Sequence, residues 1–453
     1  MKKALALLLV VVLAISALLV GCGAKTETKG TPKSEATKEQ AKEAPKTQAP
    51  AKKAVLRIMW WGSQDRHDRT LKVIDMYQKN NPGITLEPEF TSWDGYWEKI
   101  AAQAAANNLP DIFQQDYQYL KQYVDKGLLL NLNDFVKDNR LDLRDAAENS
   151  YSGGVVKGGL YAVNLGTNAL NIAYDPELFK KAGVPEPQPG WTWDDYMDTA
   201  AKLHKALGIY ADGNFPGGYF HGLKHYLRQH GEVFYAEDGT KLGYEDDKYF
   251  IEFFEKELQL VKAGVLPKPD VRLEIKSVEN ELIVTQKAAM LSAMHSNLIV
   301  AMTKAANRPL KLALLPTAKG EKKPGHYLKP SQFFSVAKSS KNADEAVKFI
   351  NYFTNDIEAN KVLLAERGVP ISSKVREALK PLLSDSQKVM FDYIDLVIKN
   401  SSPIDPPDPA GHPEVDKLLK NIEQEILYEK ITVEEAAKKF RQGANEILAK
   451  NKK

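Results

Sequence analysis

VLRIMWWGSQDRHDR, running from Val55 to Arg69, joins an apolar alternation to a polar, aromatic corner. Val55, Leu56, Ile58 and Trp60 read as a strand, and the strand empties into two tryptophans, a glycine and a cluster of hydrogen-bonding side chains. Thr70, Val73, Ile74 and Tyr77 then recur at helical spacing until Asn80-Asn81-Pro82-Gly83 stops the helix. In open α/β sheets, ligands sit at such strand-to-helix corners.

Two further corners follow the same plan. Ile84, Leu86 and Phe90 alternate with polar residues and lead into Thr91-Ser92-Trp93-Asp94-Gly95-Tyr96-Trp97, after which Trp97, Ile100, Ala101, Ala104 and Ala105 line one helix face. Asp111-Ile112-Phe113 opens onto Gln114-Gln115-Asp116-Tyr117, and the helix beyond it ends at Gly127. Three successive corners carrying Trp, Tyr, Gln and Asp form one lobe of an α/β protein with a binding floor at its strand ends.

Ahead of this lobe, Lys2 and Lys3 precede an apolar run, Ala4 to Val20, that closes at Gly21-Cys22. A short basic region, a short apolar core and a small residue before the break predict an export signal over 1–21. Cys22 is the only cysteine, so an intramolecular disulfide is excluded and a thiolate metal cluster is implausible. Residues 23–53 hold no large apolar side chain and read as a disordered tether. The chain has a net charge of +3, but the tether carries eight lysines against four glutamates and the leader adds two lysines, which leaves the remainder slightly acidic. An acidic globule argues against nucleic-acid binding, which rests on neutralising phosphates.

Further along, LYAVNLGTNALNIAY, Leu160 to Tyr174, reads as two strands joined at Gly166-Thr167-Asn168, a crossover between lobes. Asp175 caps a helix with Pro176 at its first position and Gly183 beyond its end, and Thr192-Trp193-Asp194-Asp195 is a capping-box pattern. A glycine-rich aromatic loop, Gly213 to Gly222, and a strand from Ala288 into His295-Ser296-Asn297 follow. LKPSQFFSVA, Leu328 to Ala337, reads as a second crossing and Pro403 to Pro413 as a stiff third one.

The chain has no GxSxG elbow, P-loop, nucleotide glycine fingerprint or catalytic cysteine. Asp194-Asp195 already has a capping role, and a glycosidase carboxylate pair must straddle a cleft. His221 and His225 stand four apart with His230 nearby, but no glutamate or third ligand completes a zinc pattern, so these histidines read as packing residues. Trp97 and Trp193 fall inside helix patterns. Trp60, Trp61 and Trp93 sit at strand ends, where indole faces stack on the C–H side of sugar rings. Alternation turns one of Trp60 and Trp61 to the cleft and the other into the core. Arg66, Arg367 and Lys329 are the cations available to an acidic sugar, with a helix-start or lobe-lobe salt bridge as the alternative role of each; an arginine fork suits a carboxylate better than a lysine does.

The pieces LVGC, WWGSQDRHD, NPGITLEPEF with SWDGYWEKI, LPDIFQQDYQYL, LGTNALNIAYDPELFKKAGV with TWDDY, VAKSSKNADEAVKFINYFTN and RGVPIS resemble extracellular solute-binding lipoproteins of carbohydrate ABC transporters. WWGSQDRHD, LKPSQFFSVAKSS, ERGVPIS and DPPDP look closest to those that bind pectin-derived rhamnogalacturonan oligosaccharides. The resemblance implies a two-lobed α/β fold of the periplasmic-binding-protein type II class with hinge crossovers and an interlobe cleft. It implies residues 54–167 and 330–400 in the N-lobe and 168–329 and 401–453 in the C-lobe. It also implies an acylated Cys22 on the outer face of the bacterial cytoplasmic membrane, an oligosaccharide ligand, a permease partner, a monomeric state, no cofactor and no catalysis. Carried over by residue, the cleft takes Trp60, Gln64, Arg66, Trp93, Tyr96, Gln115 and Asp116 from one side, with Trp61 also a ligand candidate. Asn168, Tyr219, His295 and Asn297 face them, with Lys329, Ser331 and Arg367 entering from later segments. The family's usual glycine-tryptophan pair is replaced here by His295-Ser296-Asn297, which removes one stacking partner. A cell-surface glycan-active enzyme, or a peptide or metal receptor on the same fold, are the rival readings.

Overall fold

A computed structural model describes residues 54–293 and 295–451; the export signal, Cys22 and the tether lie outside the described residues. Strand β1 (Ala54–Trp61) runs into helix α1 (Gln64–Asn80), β2 (Ile84–Thr91) into α2 (Trp93–Ala105), and β3 (Ile112–Gln115) into α3 (Tyr117–Asp125). The first crossing joins β4 (Val163–Asn168) to β5 (Asn171–Tyr174). Helices α4 (Pro176–Ala182) and α5 (Trp193–Leu207), strand β6 (Tyr210–Asp212), α6 (Leu223–Gln229) and α7 (Lys248–Lys262) follow. Then come β7 (Ala288–Ala293), α8 (Leu298–Ala306), β8 (Lys311–Ala313) and β9 (Lys329–Val336). The chain ends in helices α9 (Ala343–Asn355), α10 (Ile357–Leu363), α11 (Ser373–Leu379), α12 (Asp385–Lys399), α13 (His412–Leu427) and α14 (Val433–Leu448).

A two-stranded sheet pairs Val155–Val156 with Gly159–Leu160, and the strands named above form two larger sheets. One has the order β2-β1-β3-β9-β4 and the other β8-β5-β7-β6. In the first sheet β1 pairs parallel with β2 and β3, while β9 runs antiparallel to both β3 and β4. In the second, β6 and β7 are parallel and β5 is antiparallel to both β7 and β8. The carboxyl ends of β1, β3 and β4 and the start of β9 therefore lie along one edge of the first sheet. The short link Ala169-Leu170 leads from that edge directly into β5, and Ala169 N–H donates to Ser296 Oγ, 3.3 Å, in the loop after β7.

Alternation in β1 sorts its side chains between two cores. Leu56, Ile58 and Trp60 pack with Val73, Ile74 and Tyr77 of α1, whereas Met59 and Trp61 pack with Tyr96, Ile100 and Phe113. Being covered on both faces, this parallel strand is apolar on both. The helix starts are built as their residues dictate. The Asp175 side chain accepts from Glu177 and Leu178 N–H, Thr192 and Asp195 cap each other reciprocally, and Gly183 and Gly208 close their helices at φ 65° and 66°.

Three expectations about the crossings are corrected. The first crossing breaks at Ala169-Leu170 because Gly166 continues β4, where its missing side chain lets Arg367 O approach within 2.0 Å of the position a Cβ would take. Leu328 to Ala337 is not a crossing but contains β9, inserted between β3 and β4; the connection between sheets precedes it. Residues 330–400 also do not stay together. Helices α9 and α10 pack on the first sheet, but Val375 and Leu379 of α11 and Met390, Phe391, Ile394 and Val397 of α12 pack against Ala173, Leu291 and Leu314 of the second. The Tyr393 hydroxyl donates to Leu170 O, fixing α12 to that side. Helices α13 and α14 join the second lobe's main core with Phe250, Phe253 and Leu260.

Candidate functional site

Buried polar atoms without partners occur at several places among the described residues, and three of the residues that carry them stand at strand ends along the edge where the two sheets meet. Gln115, last residue of β3, is completely buried, and neither its Oε1 nor its Nε2 has a hydrogen-bond partner. Asn168, last residue of β4, leaves Oδ1 unbonded, and His295, after β7, leaves Nδ1 unbonded. An unpaired buried polar group costs about 1–3 kcal/mol. Three such groups at converging strand ends from both sheets fit a surface finished by a hydroxyl-rich ligand.

Charged groups surround these atoms. Lys329 opens β9 opposite Asn168 in register. Burial lowers its pKa, while Asp116 and Asp408 act on it electrostatically in the opposite sense. Asp116 accepts from Gln118 N–H, 3.0 Å, as the cap of α3, and burial raises its carboxyl above the usual range. His221 and His295 both feel Lys329, and burial first, then neighbouring cations, keeps them neutral, with pKa values lowered to about 3 and about 4.

The segment Pro403 to Pro413, expected as a third crossing, instead joins α12 to α13, both packed in the second lobe, and it supplies a buried ion network without local sequence signal. Lys224 reaches Asp408 at 3.3 Å, and the fully buried Arg228 pairs with Asp405. Arg228 also donates to Ser402 Oγ, 2.5 Å, and Pro403 O, 2.9 Å. The Tyr117 hydroxyl at the start of α3 donates to Asp405 O, which links the first lobe to this segment. The prolines of DPPDP make the segment stiff, but the Lys224 and Arg228 partners of its aspartates lie more than 170 positions distant and carry no local signal.

The remaining sequence-predicted residues divide by what they touch. Trp93 is 38% exposed and meets Trp61 edge-on at 5.0 Å; Trp61 itself is 7% exposed and also contacts Tyr96 and Trp97. Trp60, the other of the pair, is fully buried, donates Nε1–H to His67 Nδ1 at 3.0 Å and packs on Phe90, so it is a core residue. Tyr96 is likewise fully buried, its hydroxyl donating to Gln114 O at 2.5 Å, which corrects its expected cleft role. Gln64 lies exposed on α1, bonded to Asp68. The hydroxyl of Tyr219, on the turn before α6, donates to Asp416, 3.2 Å.

Arg66 and Arg367 are not the free guanidiniums expected for a sugar carboxylate. Arg66 Nε donates to both Glu366 oxygens at 2.8 and 3.0 Å, and its Nη1 donates to Trp61 O. Arg367 is buried between Thr70 Oγ1, 2.9 Å, and Glu366, 3.4 Å, and burial together with Arg66 pulls its pKa down to about 9. Ser331 Oγ is committed to Gly166 O and Arg367 O. These three hold the loop after α10, where Leu364 and Ala365 both sit at positive φ. Asn297 is exposed and lines a solvent-open groove of about 240 Å³ with Val300 of α8, Asp65 and Arg69 of α1, and Glu366. The histidines of α6 pack: His225 is fully buried with Nε2 against Pro316 O, 3.1 Å, and its ring edge-on to His326.

A profile of the family described as bacterial extracellular solute-binding protein matches residues 43–359. Among solved structures, the extracellular solute-binding protein family 1 from Alicyclobacillus acidocaldarius is 31% identical, with a TM-score of 0.81 over 88% of this chain and 100% of that one. A periplasmic oligogalacturonide binding protein from Yersinia enterocolitica is 25% identical, with a TM-score of 0.74 over 88% of this chain and 100% of its own. A curated binding protein from Brucella abortus is 30% identical over 132 residues, 29% of this chain. The chain thus spans about a third (31%) of the length of that relative.

Proposed function

The chain belongs to the family of bacterial extracellular solute-binding proteins, and from that premise we propose that it is the substrate-binding component of an ABC importer for oligosaccharides. The ligand enters where the strand ends of the two sheets meet, contacts both lobes, and stabilises their closed arrangement by population shift. Closure presents the loaded protein to a permease. The sugar is pectin-derived and acidic, the protein acts as a monomer without cofactor or nucleic acid, and an acylated Cys22 holds it at the outer face of the cytoplasmic membrane.

The observation that carries this reading is the set of partnerless buried polar atoms on Gln115, Asn168 and His295, drawn from both sheets; the partly exposed indole of Trp93, at the start of α2 in the first lobe, is the stacking candidate. Amide and imidazole groups bond sugar hydroxyls, and a tryptophan stacks on the ring. Titrating intrinsic tryptophan fluorescence with pectic and other oligosaccharides, alongside thermal melting, tests it. A saturable response to at least one oligosaccharide is expected. Silence in both readouts across the panel contradicts the proposal.

A further inference from the structure

We infer that Lys329 is the residue by which the site reads ligand charge, binding the carboxylate of a uronic-acid residue in the oligosaccharide; this rests on the oligosaccharide reading above.

The backbone around Lys329 is fixed. It is the first residue of β9, its Cα partner is Asn168, and the strand is flanked by β3 and β4. From that position its half-buried side chain makes no ion pair and no side-chain hydrogen bond with any described residue. The other cations argued for this region are all compensated. Arg228 has Asp405, Lys224 has Asp408, and Arg66 and Arg367 share Glu366.

The two carboxylates that influence Lys329 are occupied elsewhere. Asp116 caps α3 through Gln118 N–H, and Asp408 faces Lys224 at 3.3 Å and His412 at 3.7 Å. A half-buried ammonium with no direct partner is costly, and the cost is removed by an anion that enters with the ligand. The site favours such an anion in a second way. His295, with its unbonded Nδ1, and His221 lie within electrostatic reach of Lys329. Each of these neutral imidazoles carries one N–H that can be donated to a carboxylate held at Lys329. Lysine presents a compact charge on a flexible stem, so it fixes the charge of the group without dictating the plane of the carboxylate. The sugar ring itself is then oriented by the neutral groups of Gln115 and Asn168.

The test is isothermal titration of uronate-containing oligosaccharides, oligogalacturonides and a rhamnogalacturonan disaccharide among them, and of their neutral methyl esters. The expected result for the native protein is tighter binding of acid than of ester by roughly 10- to 100-fold, the range of one hydrogen bond to a charged group. Lys329→Gln should abolish that preference while changing ester affinity only a few-fold, and Lys329→Arg should retain it. Thermal melting confirms that each variant folds. Equal affinity of the native protein for acid and ester, or an undiminished preference in Lys329→Gln, overturns the inference and leaves the oligosaccharide reading standing. Absence of binding to acids, esters and every neutral oligosaccharide overturns both.

Discussion

Replacing Gln115 with leucine should make the ligand-free protein more stable and the ligand complex weaker. The side chain is fully buried at the end of β3, and both its heteroatoms lack partners. Burying an unbonded amide costs about 1–3 kcal/mol relative to an apolar group of the same shape, and Leu has nearly the volume of Gln. Part of that gain is lost to imperfect packing against Phe333, the residue opposite in register. A net stabilisation of ~1–2 kcal/mol remains, which raises the melting midpoint of a fold this size by roughly 1–2 °C. In the complex the same amide offers one donor and one acceptor to sugar hydroxyls. Losing both, at ~0.5–1.5 kcal/mol each, weakens binding by roughly 10- to 100-fold. Scanning calorimetry of the ligand-free variant and titration calorimetry with the best-bound sugar read the two effects separately. A Gln115→Leu protein that melts lower than the native one and binds equally well would refute the reasoning, because it would make this amide a structural group.

Three further outcomes follow from the same geometry. Trp93→Ala should lower stability by about 1–3 kcal/mol without unfolding the protein, since the ring is partly buried edge-on against Trp61, and weaken sugar binding by about 2 kcal/mol; a variant that binds normally removes Trp93 from the site. Glu366→Gln should destabilise the fold by about 3 kcal/mol in urea titration, toward the low end for breaking a buried ion pair because Arg66 keeps some exposure, and a loss under about 1 kcal/mol would show that Arg66 and Arg367 find other partners. Acid should destabilise the protein through His225 and His326, whose burial lowers their pKa values, His225 to about 4 and His326 well below the usual 6.5. Folded values below the unfolded ones mean that this contribution is complete above pH 6.5 and is lost as pH falls through 4, so the urea midpoint should drop across that window and drop less in His225→Gln.

Local chemistry is what the sequence made legible. The three strand-to-helix corners, the caps at Asp175 and Thr192, and the opposite facing of Trp60 and Trp61 all follow from periods and side-chain types within a few residues. What was misread depends on contacts between distant segments. β9 was read as a crossing because it is buried on both faces, Gln332 and Ser335 included, so it shows no alternation. The boundary within 330–400 was missed because only tertiary packing sends α12 to the second sheet. Arg66 looked like a free carboxylate holder because its partner, Glu366, stands 300 positions away. Long separation likewise hides the Tyr117–Asp405 and Lys224–Asp408 contacts, while Gln115, Asn168, His295 and Lys329 enter as site candidates through the family resemblance, which places them by motif.

Hydrogen exchange measured by mass spectrometry, with and without the tightest-binding oligosaccharide, tests the central claim most directly. Slowed exchange is predicted together in segments 112–118, 164–171, 295–298 and 326–331, which join the facing strand ends of both sheets. Protection confined to one lobe, or to surfaces away from these segments, would contradict a ligand held between them.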